Sequence, residues 1–226
     1  MAPITVHHLD MSRSHRIVWL LELLQLPYEI KDYKRNSQTG LAPPELKKVH
    51  PLGKAPVVQD GDLTIAESGA IIMHLCEREN KLMPSIGTPE RLQFHYWMHY
   101  AEGTLMPPLV MTLVFSAVPN QAPWFLRPIL KPVCDKVVSS YIGPQLDTNL
   151  EMIEAHLGAN KWFAGNEITG ADVNMSFPLE ALFLRRGQND SSRWPNIASY
   201  MDRIKNLDSY KAAEARGGKL NIMSGL

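Results

Sequence analysis

His50-Pro-Leu-Gly-Lys-Ala-Pro-Val-Val-Gln-Asp-Gly-Asp-Leu-Thr-Ile-Ala-Glu-Ser-Gly69 holds a strand, a turn, a second strand and a helix start in one short stretch. Val57–Gln59 and Asp62–Ile65 are β-prone. Asp60-Gly61 between them predicts a tight hairpin, because a type I′ turn needs positive φ at both central residues. Glu67-Ser68 stands just before the helical run Ala70–Leu75, where a helix presents unpaired backbone N–H groups. Ala55-Pro56 is an X-Pro bond at the start of the first strand, a place where a cis bond holds an extended edge open. Edge, turn and helix start together form a dock for a short peptide carrying a carboxylate.

Working outward, Ile4–Leu9 reads as a strand with Ile4 and Val6 on one face. Arg16–Leu26 is a helix, apolar on most of its circumference and therefore expected to be well buried. Pro27 stops it, and Tyr28–Tyr33 reads as a second strand. Strand, helix, strand at this spacing is a βαβ unit with parallel strands. Pro44–Val49 reads as a short helix opened by proline, and the hairpin with its helix follows. The N-terminal unit is thus βαβ, a short helix, then ββα.

Leu82–Pro89 has the composition of a linker, and Thr88-Pro89-Glu90 restarts a helix with a cap, a proline at the first position and an acid in the first turn. From there onward no strand is predicted. Arg91–Val118 reads as helical with a kink at Pro107-Pro108, and its apolar part, Leu105–Val118, as buried. Pro119, Pro123, Pro128 and Pro132 are spaced too closely for an unbroken helix, so that region is expected to be irregular. Val133–His156 is helical with a kink at Gly143-Pro144, Thr169–Asp172 resembles a capping box with Ile168 as its staple, and Trp194–Ile204 and Ser209–Arg216 are further helices. The expected division is residues 1–82, a linker at 83–89, and an all-helical domain over 90–226.

Composition bounds the function. The 226 residues are 45% apolar, with 23 basic and 23 acidic side chains, so no net charge favours nucleic acid or an anionic membrane. Cys76 and Cys134 are too few for a disulfide framework, which fits a reducing compartment. Met1–Val6 carries no basic and apolar leader pattern, Leu105–Val118 is short for a membrane span, and the C-terminal Met223–Leu226 is not a peroxisomal signal. A cytoplasmic location is the expectation.

The motifs in order resemble one family. Asp10–Glu22, Pro44–Val57, Asp60–Asp62, Ala66–Ser68 and Ile168–Asp172 are similar, in sequence and spacing, to the cytosolic glutathione transferases, and cover nearly the whole chain. Ser12-Arg-Ser-His-Arg-Ile-Val-Trp-Leu-Leu-Glu22 is most similar to a fungal and bacterial serine-type branch. The resemblance implies a thioredoxin-like α/β N-terminal domain followed by an all-α domain. It implies conjugation of glutathione to hydrophobic electrophiles, peroxidase activity on organic hydroperoxides, a homodimer, and glutathione as co-substrate with no metal or prosthetic cofactor.

The same resemblance places Ser12 where the family holds the glutathione sulfur as thiolate, with Ser14 in reserve. Lowering a thiol pKa of about 8.5 by two units needs about 2.7 kcal/mol. A hydrogen bond to a charged group gives about 1.5–3 kcal/mol, and a helix N-terminus adds up to about 1–2. Ser12 would be a donor to the thiolate, not a nucleophile; either serine also fits a plain helix cap. By the same carry-over Ala55 pairs with the cysteinyl unit, while Glu67 and Ser68 take the γ-glutamyl end. Lys54, where related classes have glutamine, reaches a carboxylate, and Lys47, Lys48 and His50 are possible helpers. Tyr100, Gly103 and Met106 lie on the helix that lines the electrophile pocket in this family, although the same spacing is ordinary helix packing, which is the preferred reading.

Other groups carry less. His95 and His99 have zinc-like spacing but lack a following Glu and a third ligand. His7 and His8 point to opposite faces of a strand and cannot act as a pair. Neither cysteine lies near Ser12, which argues against a disulfide-reducing mechanism. A non-catalytic binder on the same fold remains the competing reading.

Overall fold

A computed structural model describes residues 3–186 and 192–220; Met1-Ala2 and Met223–Leu226, read above, lie outside them. Four strands, β1 (Ile4–Leu9), β2 (Tyr28–Tyr33), β3 (Val57–Asp60) and β4 (Leu63–Ala66), form one sheet in the order β2-β1-β3-β4. β1 and β2 are parallel from Ile4↔Tyr28 to Leu9↔Tyr33, while β3 is antiparallel to both β1 and β4. This is the thioredoxin-like arrangement predicted. The hairpin differs in detail: Asp60 pairs with Leu63, so the central turn residues are Gly61 and Asp62. Gly61 takes the positive φ of +59° while Asp62 does not. A glycine at the first central position is the type II′ pattern, not type I′.

Helix α1 (Ser14–Leu24) leads from β1 to β2, and Ile17, Val18, Trp19, Leu20 and Leu21 are fully buried. An apolar circumference is satisfied because the sheet covers one side and the helical half the other. Trp19 meets Tyr210 edge-on at 5.4 Å and its indole N–H donates to Ser209 Oγ at 3.2 Å. The short helix α2 is Leu46–Val49, with Pro44 and Glu45 in the turn before it. Helix α3 (Ser68–Glu79) follows β4 directly.

The second half is helical: α4 (Pro89–Tyr100), α5 (Met106–Gln121), α6 (Arg127–Val137), α7 (Gly143–Ala159), α8 (Gly170–Arg186), α9 (Pro195–Lys205) and α10 (Asp208–Gly217). Thr88 caps α4, its Oγ1 accepting the Arg91 N–H at 3.2 Å. The Pro107-Pro108 kink takes the form of a π-helical segment, 101–105, joining α4 to α5. Both prolines lack the N–H that would reach the carbonyls of Gly103 and Thr104, and the wider turn absorbs the loss. A second π segment, 138–142, precedes Gly143-Pro144.

The proline-rich region corrects two expectations. It is two helices joined by a short connection: Pro119 lies in the last turn of α5 and Pro128 in the first turn of α6, with Pro132 inside. A proline in the first turn loses no bond, because that N–H is an orphan anyway, whereas Pro119 and Pro132 each give up one i→i−4 bond. Nor is α5 buried throughout. Met106 and Pro108 are covered, but Val110, Val114 and Val118 are 40, 50 and 39% exposed. The helical run Pro89–Gln121 is long and apolar enough, by length and composition, to cross a bilayer; its Phe94, Trp97, Ala101 and Leu105 are packed in the core.

At the start of α8, the fully buried Asp172 accepts from the N–H of Phe163 (2.9 Å) and Thr169 (2.8 Å), from Thr169 Oγ1 (3.0 Å) and from the Tyr200 hydroxyl (3.2 Å). Ile168 packs against the core. The capping box read from Thr169–Asp172 is therefore also a clamp between α8, α9 and the 160s loop.

Candidate active site

The ends of β1 and β4, the Ala55-Pro56 bend and the first turns of α1 and α3 converge at one edge of the sheet. Ala55-Pro56 is cis, and the ladder pairing of β3 begins only at Val57, leaving the Ala55 backbone outside the sheet. Glu67, just before α3, has φ +71°, a backbone region that a non-glycine side chain occupies only when its surroundings hold it there. Behind it Ser68 is 3% exposed, and its Oγ has no hydrogen-bond partner within the protein. A buried, unpaired hydroxyl at the N-terminus of a helix suits an anionic ligand group.

Two adjoining cavities open here. The smaller, about 200 Å³, is lined by Lys54, Ala55, Glu67 and Ser68, together with Arg13, His50, Leu52, Pro56, Ala66 and Glu102. The larger, about 560 Å³, is lined by Ser12 and by Leu9, Met11, Leu41, Ala42, Pro44, Leu52 and Phe177, with Arg13, Arg35, Lys47, Gly53, Lys54 and Ala55 at its border. Arg13, Leu52, Lys54 and Ala55 belong to both. The structure thus gathers the four residues expected to hold a peptide and sets Ser12 in the neighbouring, more apolar space.

Ser12 is 7% exposed; its Oγ donates to Leu9 O at 2.7 Å, lies 2.7 Å from Ser14 Oγ, and accepts the Ser14 N–H at 3.2 Å. It therefore does part of the capping considered for it as well as facing the cavity. Ser14 is fully buried and faces neither cavity. Lys47 borders the larger cavity and His50 the smaller, while Lys48 borders neither.

Tyr100, Gly103 and Met106 do not line either cavity. Tyr100 donates its hydroxyl to Asn149 and packs on Trp97, and Met106 packs beneath Phe177 in a small apolar cluster with Leu220. Phe177, from α8, is the aromatic that reaches the space. The cysteines are both buried and apart from the clefts; burial, with the Glu77 charge, pushes the Cys76 thiol up to about 12. Among the described residues no cluster of His, Cys, Asp and Glu is placed to hold a metal.

Sequence reasoning assigned no role to Arg13, Arg16 or Glu102. Arg16 is 1% exposed; it donates to the Glu102 carboxylate and, at 2.7 Å, to the Asn174 carbonyl. Arg13 meets the same carboxylate at 3.3 Å, and both guanidinium groups lie over the Phe177 ring. Burial lowers the Arg16 pKa to about 10, with Glu102 opposing the shift, so it remains a cation at neutral pH. Burial works against the Glu102 charge, but Arg16 and then Arg13 outweigh it and hold the carboxyl below its usual range. An arginine inside the apolar run of α1 and a lone acid ahead of the apolar α5 were the available signals.

Comparison with known proteins gives the family. The description of the glutathione S-transferase N-terminal domain matches residues 2–77, and that of its C-terminal domain matches residues 106–208. The chain belongs to the glutathione S-transferase family. It is 38% identical over 202 residues to glutathione S-transferase 3 of Schizosaccharomyces pombe, covering 87% of this chain and 83% of that one. To glutathione S-transferase 1 of Saccharomyces cerevisiae it is 33% identical over 227 residues, covering 96% of each. A crystal structure of a glutathione S-transferase from Actinobacillus pleuropneumoniae superposes with a TM-score of 0.79 at 36% identity, covering 97% of this chain and 95% of that one. The yeast relatives support the fungal branch of the family. The enzyme is a glutathione transferase.

Proposed function

We propose that this transferase joins the glutathione sulfur to hydrophobic electrophiles, with Ser12 donating a hydrogen bond to the thiolate. One observation carries the reading: Ala55 belongs both to the cavity lined by Lys54, Glu67 and Ser68 and to the apolar cavity that Ser12 lines. A tripeptide whose γ-glutamyl carboxylate takes the Ser68 hydroxyl and amide, and whose ammonium faces Glu67, lays its cysteinyl unit against the Ala55 backbone. Its sulfur then turns toward Ser12, and the glycyl carboxylate toward Lys54. Leu9, Met11, Leu41, Leu52 and Phe177 supply an apolar seat for the electrophile, and holding both reactants together lowers the entropic part of the barrier.

The same thiolate would cleave the O–O bond of an organic hydroperoxide, giving an alcohol and a glutathione sulfenic acid. A second glutathione then forms the disulfide with loss of water. A homodimer is part of the reading; the exposed Leu92, Tyr96, Val110 and Val114 give it apolar surface to bury. So is a cytoplasmic setting, supported by two buried free thiols. The division into residues 1–82, 83–89 and 90–226 is supported by the end of α3 at Glu79 and the start of α4 at Pro89.

The test is Ser12→Ala, assayed for chlorodinitrobenzene conjugation and for glutathione binding by calorimetry. Loss of a hydrogen bond to a charged group predicts a fall of roughly 10- to 150-fold in kcat/KM, with the affinity for glutathione changed far less. Full turnover in the variant would move the thiolate donor elsewhere.

A further inference from the structure

A third space of about 250 Å³ meets the larger cavity at Met11 and Ser12. His8, Asp10, Ser12, His15, Asp32 and Lys34 line it, together with 217–220 at the end of α10. A hydrogen-bond chain runs to it from the thiolate position. Ser12 Oγ is 2.7 Å from Ser14 Oγ, and Ser14 Oγ is 2.9 Å from His8 Nδ1. Ser14 and His8 are almost fully enclosed. Leu9 anchors the chain from the side, its N–H donating to Ser14 Oγ at 3.2 Å and its carbonyl accepting from either serine. The Gly217 backbone beside the ring favours a protonated His8. In the tautomer with its hydrogen on Nε2, Nδ1 is the bare nitrogen and accepts from the Ser14 hydroxyl.

Ionising glutathione leaves a proton that has to go somewhere, and Ser12 cannot keep it. We propose that Ser14 and His8 form a relay that takes the thiol proton through Ser12 and leaves it on His8 Nδ1. The inference rests on the reading of Ser12 as the residue that meets the sulfur. With the Ser12 hydrogen turned from the Leu9 carbonyl to Ser14 Oγ and the Ser14 hydrogen turned to His8 Nδ1, the S–H proton passes to Ser12 Oγ as the Ser12 hydrogen passes to Ser14 Oγ and the Ser14 hydrogen to His8 Nδ1. One S–H bond breaks and one N–H bond forms; the charges left are a thiolate and an imidazolium, and both serines end as neutral hydroxyls. The shift also leaves Ser12 with its hydrogen aimed at the sulfur and Ser14 with its hydrogen aimed at Ser12. Proton transfer thereby turns the Ser12 hydroxyl from an inward bond into a thiolate donor.

The groups around His8 suit a proton acceptor. Burial holds its pKa below 6.5, so it starts neutral at pH 7; Asp32, the Gly217 backbone and Asp10 pull toward the cation, Lys34 opposes it, and His15 faces it from α1. Burial keeps His15 itself neutral, lowering it to about 4. A thiolate formed at Ser12 adds the negative charge that raises His8 into range. His8 and Ser14 touch no substrate in this scheme; they are positioning residues acting through Ser12.

The test uses two measurements. In the native enzyme, glutathione is bound at pH 7 in weak buffer with an indicator dye, while thiolate is counted by its ultraviolet absorbance. Fewer protons released than thiolates formed is the expected result; one proton released per thiolate overturns the relay without needing a variant. In His8→Asn, which keeps an acceptor near the Nδ1 position but takes no proton, the bound thiol pKa should rise by about one unit. That is about ten-fold less thiolate below the pKa, with glutathione affinity within about three-fold of native and proton release equal to thiolate formed. An unchanged thiol pKa in His8→Asn overturns the relay. Ser12→Ala run alongside separates the two readings. If it leaves the thiol pKa in place, the Ser12 assignment itself fails; if it raises the pKa while the proton counts show no uptake, only the relay fails.

Discussion

Removing the Ser68 hydroxyl should weaken glutathione binding without weakening the fold, a pairing of signs that few buried residues offer. Ser68 is 3% exposed and its Oγ makes no hydrogen bond within the protein, so Ser68→Ala breaks no bond of the free enzyme. Alanine is also the better helix former by a few tenths of a kcal/mol, at a position in the first turn of α3. Thermal or urea unfolding of the free variant should therefore fall between unchanged and about 1 kcal/mol more stable. Binding is different. If the hydroxyl donates to the γ-glutamyl carboxylate, its loss costs about 1.5–3 kcal/mol, or roughly 10- to 150-fold in Kd. Titration calorimetry with glutathione reads this directly, and Ser68→Thr, which keeps the hydroxyl, should recover most of it. A Kd within two-fold of native, or a free variant destabilised by more than about 1 kcal/mol, would refute the reasoning.

Asp172→Ala leaves the Phe163 and Thr169 N–H groups without an acceptor and the Tyr200 hydroxyl with only its 3.4 Å contact to the residue-172 carbonyl, and should cost about 3 kcal/mol or more in urea unfolding. Burial raises the Asp172 pKa from 3.8 to about 6, so the folded state holds a proton that the unfolded state has already lost. Stability should decline by up to about 3 kcal/mol as pH rises from about 4 to 6, and Asp172→Asn should remove that part of the profile. Glu102 has the opposite sign: held low by Arg16 and Arg13, it contributes above the unfolded carboxylate pKa and is lost as pH falls through its folded value. Glu102→Gln should flatten the acid limb of stability and cost about 1–3 kcal/mol at pH 7, less than a fully buried pair because Glu102 is 35% exposed. Phe177→Ala should raise KM for an aromatic electrophile about ten-fold, the worth of a lost apolar contact, while steady-state KM for glutathione moves less than two-fold.

Legibility in the sequence followed the range of the interactions. The Thr88 cap and the box at Thr169–Asp172 depend on residues within a few positions of one another, while the burial of α1 and the parallel β1–β2 pair showed in an apolar circumference and in the strand–helix–strand order; each was readable. The prolines from Pro119 to Pro132 were misread because spacing alone does not say where a helix begins, and Pro128 costs nothing in a first turn; the Pro107-Pro108 kink was readable and takes the form of a π segment. For Tyr100, Gly103 and Met106 the spacing fitted either packing or an electrophile pocket, with packing preferred; Tyr100 bonds to Asn149 and Met106 joins the Phe177 cluster.

By itself, then, the sequence determined the order of elements, the strand–turn–strand–helix stretch that carries Lys54 to Ser68, and the family, because backbone preferences and motif spacing are local properties of a chain. Tertiary structure alone decided that Arg13 and Arg16 share Glu102, that Phe177 reaches the larger cavity, and that His8 and Ser14 stand in line behind Ser12. Those relations join residues up to 168 positions apart, as Leu9 and Phe177 are across the larger cavity, or set the direction of a single hydroxyl. Neither depends on the spacing a sequence displays; both depend on how the helical half closes against the sheet edge.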